Sequence, residues 1–187
     1  MRKLAVFFVL LSVPLLAQES QAPRAEIFGG YQYLHIGNNS TLGNNSGQSF
    51  NGWNAGTAYK FGQYFGVAGD FSGSYATISG VSAHIYTYTA GPVISGNAGR
   101  LTPFAHVLFG GARLSGSASS VSISWNGFTT MVGGGVDVNV NKNLGVRLAQ
   151  VDWLYYHFGS KSIAGLTAPS FSGSNNVRIS TGIVFRF

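Results

Sequence analysis

The chain has 187 residues, of which 45% are hydrophobic and only 9% are charged, whereas soluble domains usually have about 25% charged residues. Its net charge of +6 is scattered rather than gathered into a basic stripe, which argues against a nucleic-acid partner. The absence of cysteine excludes a lipid-anchored lipoprotein and a disulfide scaffold. No apolar run after the N-terminal segment is long enough for a transmembrane helix, so the hydrophobicity is hidden in alternating strands.

The N-terminal segment has the pattern of an export signal. A basic start is followed by an apolar run from Leu4 to Leu11, which is too short to cross a bilayer as a helix. Ala17 then provides a small residue at a cleavage position. We therefore predict a cleaved signal peptide at residues 1–17, with 1–22 as the alternative, and one barrel domain at residues 18–187.

Eight later segments alternate apolar residues with polar or small ones, which is the period of a β-strand. Most of them are longer than the roughly five to six residues common in globular proteins. Their lengths suit tilted membrane-crossing strands, which need about nine to eleven residues. The predicted strands cover residues 25–36, 50–61, 64–77, 83–95, 102–114, 128–140, 144–157 and 176–187.

The connections between these strands alternate in length. Residues 62–63 and 141–143 are predicted as tight turns, whereas 37–49, 115–127 and 158–175 are predicted as long loops. Outer-membrane barrels place short turns in the periplasm and longer loops outside the cell. Because the number of predicted strands is even, we expect a protein of the bacterial outer membrane with both termini in the periplasm.

The last predicted strand is aromatic or aliphatic on one face up to the end of the sequence. Ser180, Gly182, Phe185 and Phe187 follow the spacing polar, any, Gly, two of any, aromatic, any, aromatic. This pattern resembles the C-terminal assembly signal of bacterial outer-membrane barrels. The resemblance implies that the β-barrel assembly machinery and periplasmic chaperones act on the chain, and that outer-membrane lipid surrounds the folded protein.

Most of the charged residues within the strands are expected to face inward. An arginine or lysine that faces lipid at mid-membrane costs about 2–4 kcal/mol, and the interior of an eight-stranded barrel is just wide enough to be filled by side chains. Charges in such an interior must be paired. We therefore predict a lumen ion-pair network formed by Glu26, Lys60, Asp70, Asp137, Arg147, Asp152 and Arg178.

Parity within the strands also predicts a β-bulge and two aromatic girdles. Arg147 and Asp152 have opposite parity, so both face the lumen only if a bulge lies between them, near Ala149 and Gln150. Outward aromatic residues are expected at the two membrane interfaces. The girdle candidates are Tyr31, Tyr33, Trp53, Tyr59, Phe65, Tyr75, Trp153 and Tyr155.

Several strand segments carry a family resemblance, namely residues 26–33, 70–75, 102–106 and 133–137, together with Arg147, Asp152 and Phe187. They resemble the transmembrane domain of the outer membrane protein A-like barrels. The resemblance implies an all-β fold, an eight-stranded antiparallel up-and-down transmembrane β-barrel. Outer membrane protein A has a peptidoglycan-binding domain after its last strand, which this sequence does not show, so we expect no cell-wall tethering.

Three classes of function fit this fold. The favoured class is a non-enzymatic integral outer-membrane barrel that supports the envelope or displays surface loops, expected to be a monomer without cofactor or metal. A narrow ion or small-solute channel is the alternative. A lipid A-modifying enzyme is disfavoured because His157 and Ser160 have no downstream carboxylate to complete a triad. Trp125 is either a ligand contact or a packing residue, and a soluble lipocalin-like barrel is the alternative fold.

Overall fold

The computed structural model describes residues 24–37, 47–78, 81–118, 121–163, 166–168 and 171–187. The predicted signal peptide and its cleavage position lie outside these residues. Among the residues described, no helix is long and apolar enough to cross a membrane.

Every regular element of the described chain is a β-strand: β1 (Ala25–Ile36), β2 (Gln48–Lys60), β3 (Phe65–Ile78), β4 (Val81–Ser95), β5 (Leu101–Ala118), β6 (Val121–Asn139), β7 (Leu144–Phe158), β8 (Lys161–Ile163), β9 (Leu166–Ala168) and β10 (Phe171–Arg186). Eight of them close into a barrel in the order β1-β10-β7-β6-β5-β4-β3-β2. All neighbouring pairs are antiparallel. β8 and β9 form a separate hairpin. The predicted eight-stranded antiparallel up-and-down barrel is confirmed.

The two ends of the barrel differ in their connections. The short-turn end contains the turns at residues 61–64, 96–100 and 140–143. Arg24 and Phe187 also lie there, and the backbone N–H of Arg24 donates to the carbonyl oxygen of Phe187 at 2.9 Å. The opposite end, where β1 leads toward β2 and β7 toward β10, is the long-loop end.

Residues that the sequence pattern left between the predicted strands are paired strand in the structure, mainly at three places. β10 begins at Phe171, within the predicted loop 158–175, and pairs there with the end of β7. β3 and β4 stay in register up to the pair Ile78 and Val81, and β5 and β6 stay in register up to Ala118 and Val121. These stretches are rich in Ser and Gly, which have low strand propensity, but an antiparallel ladder that has already formed can extend through them. The barrel wall therefore projects further at the long-loop end than the sequence pattern indicated.

The outer face of the barrel carries its large apolar side chains. All eight predicted girdle aromatics are among the exposed residues, with between 37% and 67% of their surface exposed. Along β10, Ile179, Ile183 and Phe185 are exposed while Arg178 and Val184 are buried. A soluble barrel would present polar residues at these outer positions, so the lipocalin-like alternative does not fit.

A β-bulge lies in β7 between Arg147 and Asp152. The register of β7 against β6 and β10 shifts between Arg147 and Gln150. Leu148 and Ala149 are both exposed in succession, whereas the flanking residues alternate. The bulge predicted near Ala149 and Gln150 therefore lies about one residue earlier, and it lets Arg147, Gln150 and Asp152 all point inward.

The half of the lumen at the long-loop end is filled with apolar side chains, which together form the apolar layer. Trp125, which lies in β6 rather than in a loop, is partly buried and packs against this layer. Of the two interpretations of Trp125, packing is the one that its position supports. The apolar layer consists of Leu34, Ile36, Phe50, Ile85, Leu108, Ala112, Leu114, Met131, Leu154, Tyr156 and Phe158.

Gly182 allows β10 to approach β1 closely where the barrel closes. A Cβ atom at this position would lie 2.3 Å from the carbonyl oxygen of Gly29 and 2.5 Å from the Cα of Gly30. Replacing Gly182 by alanine should therefore lower the free energy of unfolding by about 1–3 kcal/mol, as overpacking usually does. The measurement is urea unfolding in detergent micelles, followed by tryptophan fluorescence.

Gly29→Ala is the matched control, because Gly29 lies in β1 at the same contact between β1 and β10. A Cβ atom at Gly29 would meet no other heavy atom within 4 Å. The Gly29→Ala variant should unfold at the same urea concentration as the original protein, or slightly above it. If both substitutions lower the free energy of unfolding equally, the close approach of β10 to β1 at Gly182 is not the cause of the lost stability.

Candidate functional site in the barrel lumen

Arg178 of β10 is the centre of an ion-pair cluster near the middle of the lumen. Its side chain is only 1% exposed. Its Nη1 donates to Asp70 Oδ1 at 2.8 Å, and its Nη2 donates to Asp70 Oδ2 at 3.0 Å. Its Nε and Nη2 also donate to Asp152 Oδ2, at 2.8 Å and 2.6 Å. One guanidinium on β10 thus joins carboxylates on β3 and β7, and we call this group the central cluster.

Neutral side chains and a histidine complete the central cluster. His106 Nε2 lies 2.9 Å from Asp152 Oδ1. Gln150 Nε2 donates to Asp152 Oδ2 at 2.8 Å, and Asn54 Nδ2 donates to Asp70 Oδ2 at 2.7 Å. Both carboxylates therefore have hydrogen-bond donors in addition to the guanidinium. A charge this deeply buried is tolerated only when its lone pairs are satisfied in this way.

A second group, the terminal cluster, lies nearer the short-turn end. Lys60 Nζ and Arg186 Nε both contact Glu26 Oε1, at 2.7 Å and 3.1 Å. Arg186 Nη2 also contacts Asp137 Oδ2 at 2.8 Å, and Arg147 Nε contacts Asp137 Oδ1 at 2.8 Å. The pairs run across β1, β2, β6, β7 and β10, so the cluster ties together five consecutive strands of the barrel wall.

Arg147 connects the two clusters. Its Nη1 donates to Gln150 Oε1 at 2.6 Å, and the amide nitrogen of Gln150 donates in turn to the central cluster. Its guanidinium carbon lies 4.3 Å from the ring centroid of Phe28 and 4.2 Å from that of Phe104. Stacking between two rings fixes the planar guanidinium while its N–H groups remain free for hydrogen bonds.

The structure places all seven predicted lumen residues inside the barrel and joins each of them in an ion pair. Sequence reasoning missed Arg186 and His106, which also belong to the clusters. A parity signal was present in both strands, since Arg186 has the parity of Arg178 in β10 and His106 has that of the buried Thr102 in β5. The sequence pattern gave no sign of which cation faces which carboxylate.

The residues of the predicted assembly signal lie on both faces of β10. Ser180 is buried in the lumen, and Gly182 lies at the seam with β1. Phe185 and Phe187 point outward and have 49% and 66% of their surface exposed. Their recognition by an assembly machinery stays a prediction.

The structure does not bring a carboxylate to the candidate catalytic histidine by way of Asp152. His157 is exposed on the outer face, where its Nδ1 lies 2.7 Å from Ser172 Oγ. Asp152 is buried in the lumen and engaged by Arg178 and His106, so it faces away from His157. In the described ranges, no three His, Asp or Glu side chains are grouped as a metal site.

The lumen is closed on one side and open on the other. Below the central cluster lies a cavity of ≈ 50 Å³, lined by both clusters and by Phe28 and Phe104. At the short-turn end the lumen widens into an open cup of ≈ 680 Å³. Toward the long-loop end the apolar layer fills the barrel. Among the described residues, the lumen is thus packed with side chains toward the long-loop end and open at the short-turn end.

An antiparallel barrel with an apolar outer face and a charge-paired lumen defines the class of transmembrane β-barrels. The sequence matches the outer membrane protein beta-barrel domain family over residues 4–187, and the chain belongs to this family. Its relatives in this family are barrels of the bacterial outer membrane. Among proteins with curated functions, none matches the sequence.

Several solved barrels are similar in structure. The attachment invasion locus protein Ail of Yersinia pestis has a TM-score of 0.55 and 18% identity, over 89% of this chain and 100% of that chain. Neisserial surface protein A has a TM-score of 0.62 and 13% identity, over 87% and 97%. The N-terminal β-barrel domain of Pseudomonas aeruginosa OprF has a TM-score of 0.57 and 9% identity, over 89% and 100%. At such low identities these likenesses show the fold alone.

Proposed function

We propose that this protein is a non-enzymatic, integral barrel of the outer membrane, which supports the envelope or displays its long-loop end at the cell surface. The observation that carries this proposal is the filled lumen. The apolar layer blocks one half of the barrel, and the paired charges of the central and terminal clusters occupy much of the other. A barrel filled in this way is a rigid scaffold for whatever its loops present.

The proposed orientation places the short-turn end and both termini in the periplasm. Tight periplasmic turns and longer outer loops are the usual arrangement in such barrels, and the connections of this chain differ between its ends in the same sense. We further propose that the protein is monomeric. We also propose that the barrel assembly machinery and periplasmic chaperones act on Ser180, Gly182, Phe185 and Phe187 during assembly.

Electrical conductance separates the proposed scaffold from the channel alternative. Purified protein in planar lipid bilayers should show no stable conductance steps, because the apolar layer leaves no continuous aqueous path. Insertion is verified in the same preparation by the heat-dependent gel shift of a folded barrel, so that absence of current is not absence of protein. Reproducible conductance steps from the inserted protein would show that it is a narrow channel and would contradict the proposed scaffold.

The enzyme alternative is tested through lipid A itself. Lipid A from cells that express the protein should have the same mass spectrum as lipid A from cells that carry the empty vector. The physical reason is that His157 lies on the outer face while Asp152 is committed to the lumen. A mass change that disappears in the His157→Ala variant would show that the barrel is an enzyme.

A further inference from the structure

The cup at the short-turn end, called the terminal mouth, is lined by cations and amides. Four of its lining residues are Arg24, Lys60, Lys142 and Arg186, and none of the lining residues is Asp or Glu. The apolar layer closes the barrel behind it. A ligand that enters this mouth therefore meets positive charge on several sides and has no exit through the barrel.

The two carboxylates nearest the mouth do not balance these cations. Lys60 and Arg186 share one oxygen of Glu26, and Arg186 and Arg147 share Asp137. The terminal cluster thus holds three cations against two carboxylates. The central cluster, deeper in the lumen, has one arginine against two carboxylates, so the positive excess is local to the mouth end of the lumen. Low-dielectric walls concentrate the field of such an excess charge at the opening.

Two further cations at the rim add to this excess. Within the part of the chain that the structure describes, no salt bridge joins Arg24 or Lys142 to a carboxylate. Arg24 is fixed by its backbone, which bonds to Phe187 at 2.9 Å and to Lys60 at 2.8 Å. Lys142 lies in the turn between β6 and β7. Both side chains are exposed and border the same cup.

Asn141 lines the mouth, and its amide oxygen is already engaged by the backbone. Its Oδ1 accepts the backbone N–H groups of Asn143 at 2.9 Å and Leu144 at 2.8 Å. The amide nitrogen is therefore the part of the side chain left for a ligand. Gln63 and Asn97 also line the mouth and bring further N–H donors next to the cations.

We propose that the terminal mouth is a binding site for phosphate-bearing anions. A multivalent oxyanion offers several acceptor oxygens at once, and charge-assisted hydrogen bonds from arginine, lysine and amide groups suit it. The cup of ≈ 680 Å³ lies within the roughly 300–1,000 Å³ range of small-molecule sites. Free phosphate compounds and the phosphate of a lipid headgroup share this chemistry, and both reach the mouth if it faces the periplasm.

The test is calorimetric titration of inorganic pyrophosphate into the folded full-length protein in a phosphate-free detergent at low salt. We expect saturable binding that weakens at least tenfold in the double variant Arg24→Gln, Lys142→Gln. Neither side chain takes part in a salt bridge with the residues that the structure describes, so the heat-dependent gel shift of the variant should be unchanged. Arg113→Gln is the matched control, because Arg113 is an exposed cation on the outer face of β5 and its loss should leave the affinity unchanged.

Absence of binding at millimolar pyrophosphate would overturn the proposal, and so would equal affinity in the double variant and the original protein. Measurements in lipid nanodiscs distinguish a lipid headgroup from a free phosphate compound as the ligand of the mouth. Pyrophosphate affinity that is lost in phosphatidylglycerol discs but kept in phosphatidylcholine discs identifies a competing anionic headgroup as the occupant. Affinity that is kept in both kinds of disc identifies a free phosphate compound.

Discussion

Replacing Arg178 by methionine should lower the free energy of unfolding by about 3–5 kcal/mol, because the change leaves buried carboxylates without their cation. Arg178 contacts Asp70 and Asp152 at 2.8 Å and 2.6 Å, and all three side chains are at most 6% exposed. No other arginine or lysine of the described chain forms a salt bridge with either carboxylate. The measurement is equilibrium urea unfolding of the barrel in detergent micelles or lipid vesicles.

Two further variants separate charge from packing at this position. Adding Asp70→Asn and Asp152→Asn to the Arg178→Met variant removes the uncompensated charges and should recover part of the lost stability. Lys60→Met is the matched control, since Glu26 keeps Arg186 as a partner, and it should cost clearly less than Arg178→Met. If Arg178→Met costs as little as Lys60→Met, the central cluster does not stabilise the barrel.

Replacing Ile183 by arginine should also lower the free energy of unfolding, by about 2–4 kcal/mol, because the new charge faces lipid near mid-membrane. Ile183 is 48% exposed and lies in the outward row of β10 between Val177 and Phe187. The measurement is urea unfolding in lipid vesicles. On a soluble barrel the same substitution would only add an exposed surface charge and would cost little.

Asn175→Arg is the matched control for this second prediction. Asn175 is an exposed residue of the same strand but lies at the long-loop end. An arginine near the membrane interface costs only about 0–1 kcal/mol. The difference between the two arginine variants measures how the cost depends on depth, and no difference would contradict the membrane position of β10.

The facing of residues could be predicted from the sequence because a strand has a strict period of two. Phe185 and Arg178 were assigned to opposite faces of the last strand, and the structure places them so. The opposite parity of Arg147 and Asp152 even required a bulge, which the structure contains. These inferences are local and depend only on the order of residues within one strand.

The strand ends and the pairing partners could not be predicted in the same way. Residues 115–118 are rich in Ser and Gly and were assigned to a loop, yet they continue the β5–β6 ladder. Arg186 was left out of the predicted ion-pair network, although it joins Glu26 and Asp137. Which charges meet inside a barrel depends on how far each strand is shifted along its neighbours, and a single sequence does not carry that shift.

The distribution of charge among the strands has a consequence for the order of assembly. The four lumen carboxylates lie on β1, β3, β6 and β7, whereas two of their four cationic partners, Arg178 and Arg186, lie on β10. Because β10 is the last barrel strand to be synthesised, an unfinished barrel holds four carboxylates against only two cations. The carboxylates of such an intermediate repel one another and stay hydrated. Arg178 and Arg186 neutralise them only when β10 pairs with β1 and β7, so the closure of the barrel depends electrostatically on its last strand.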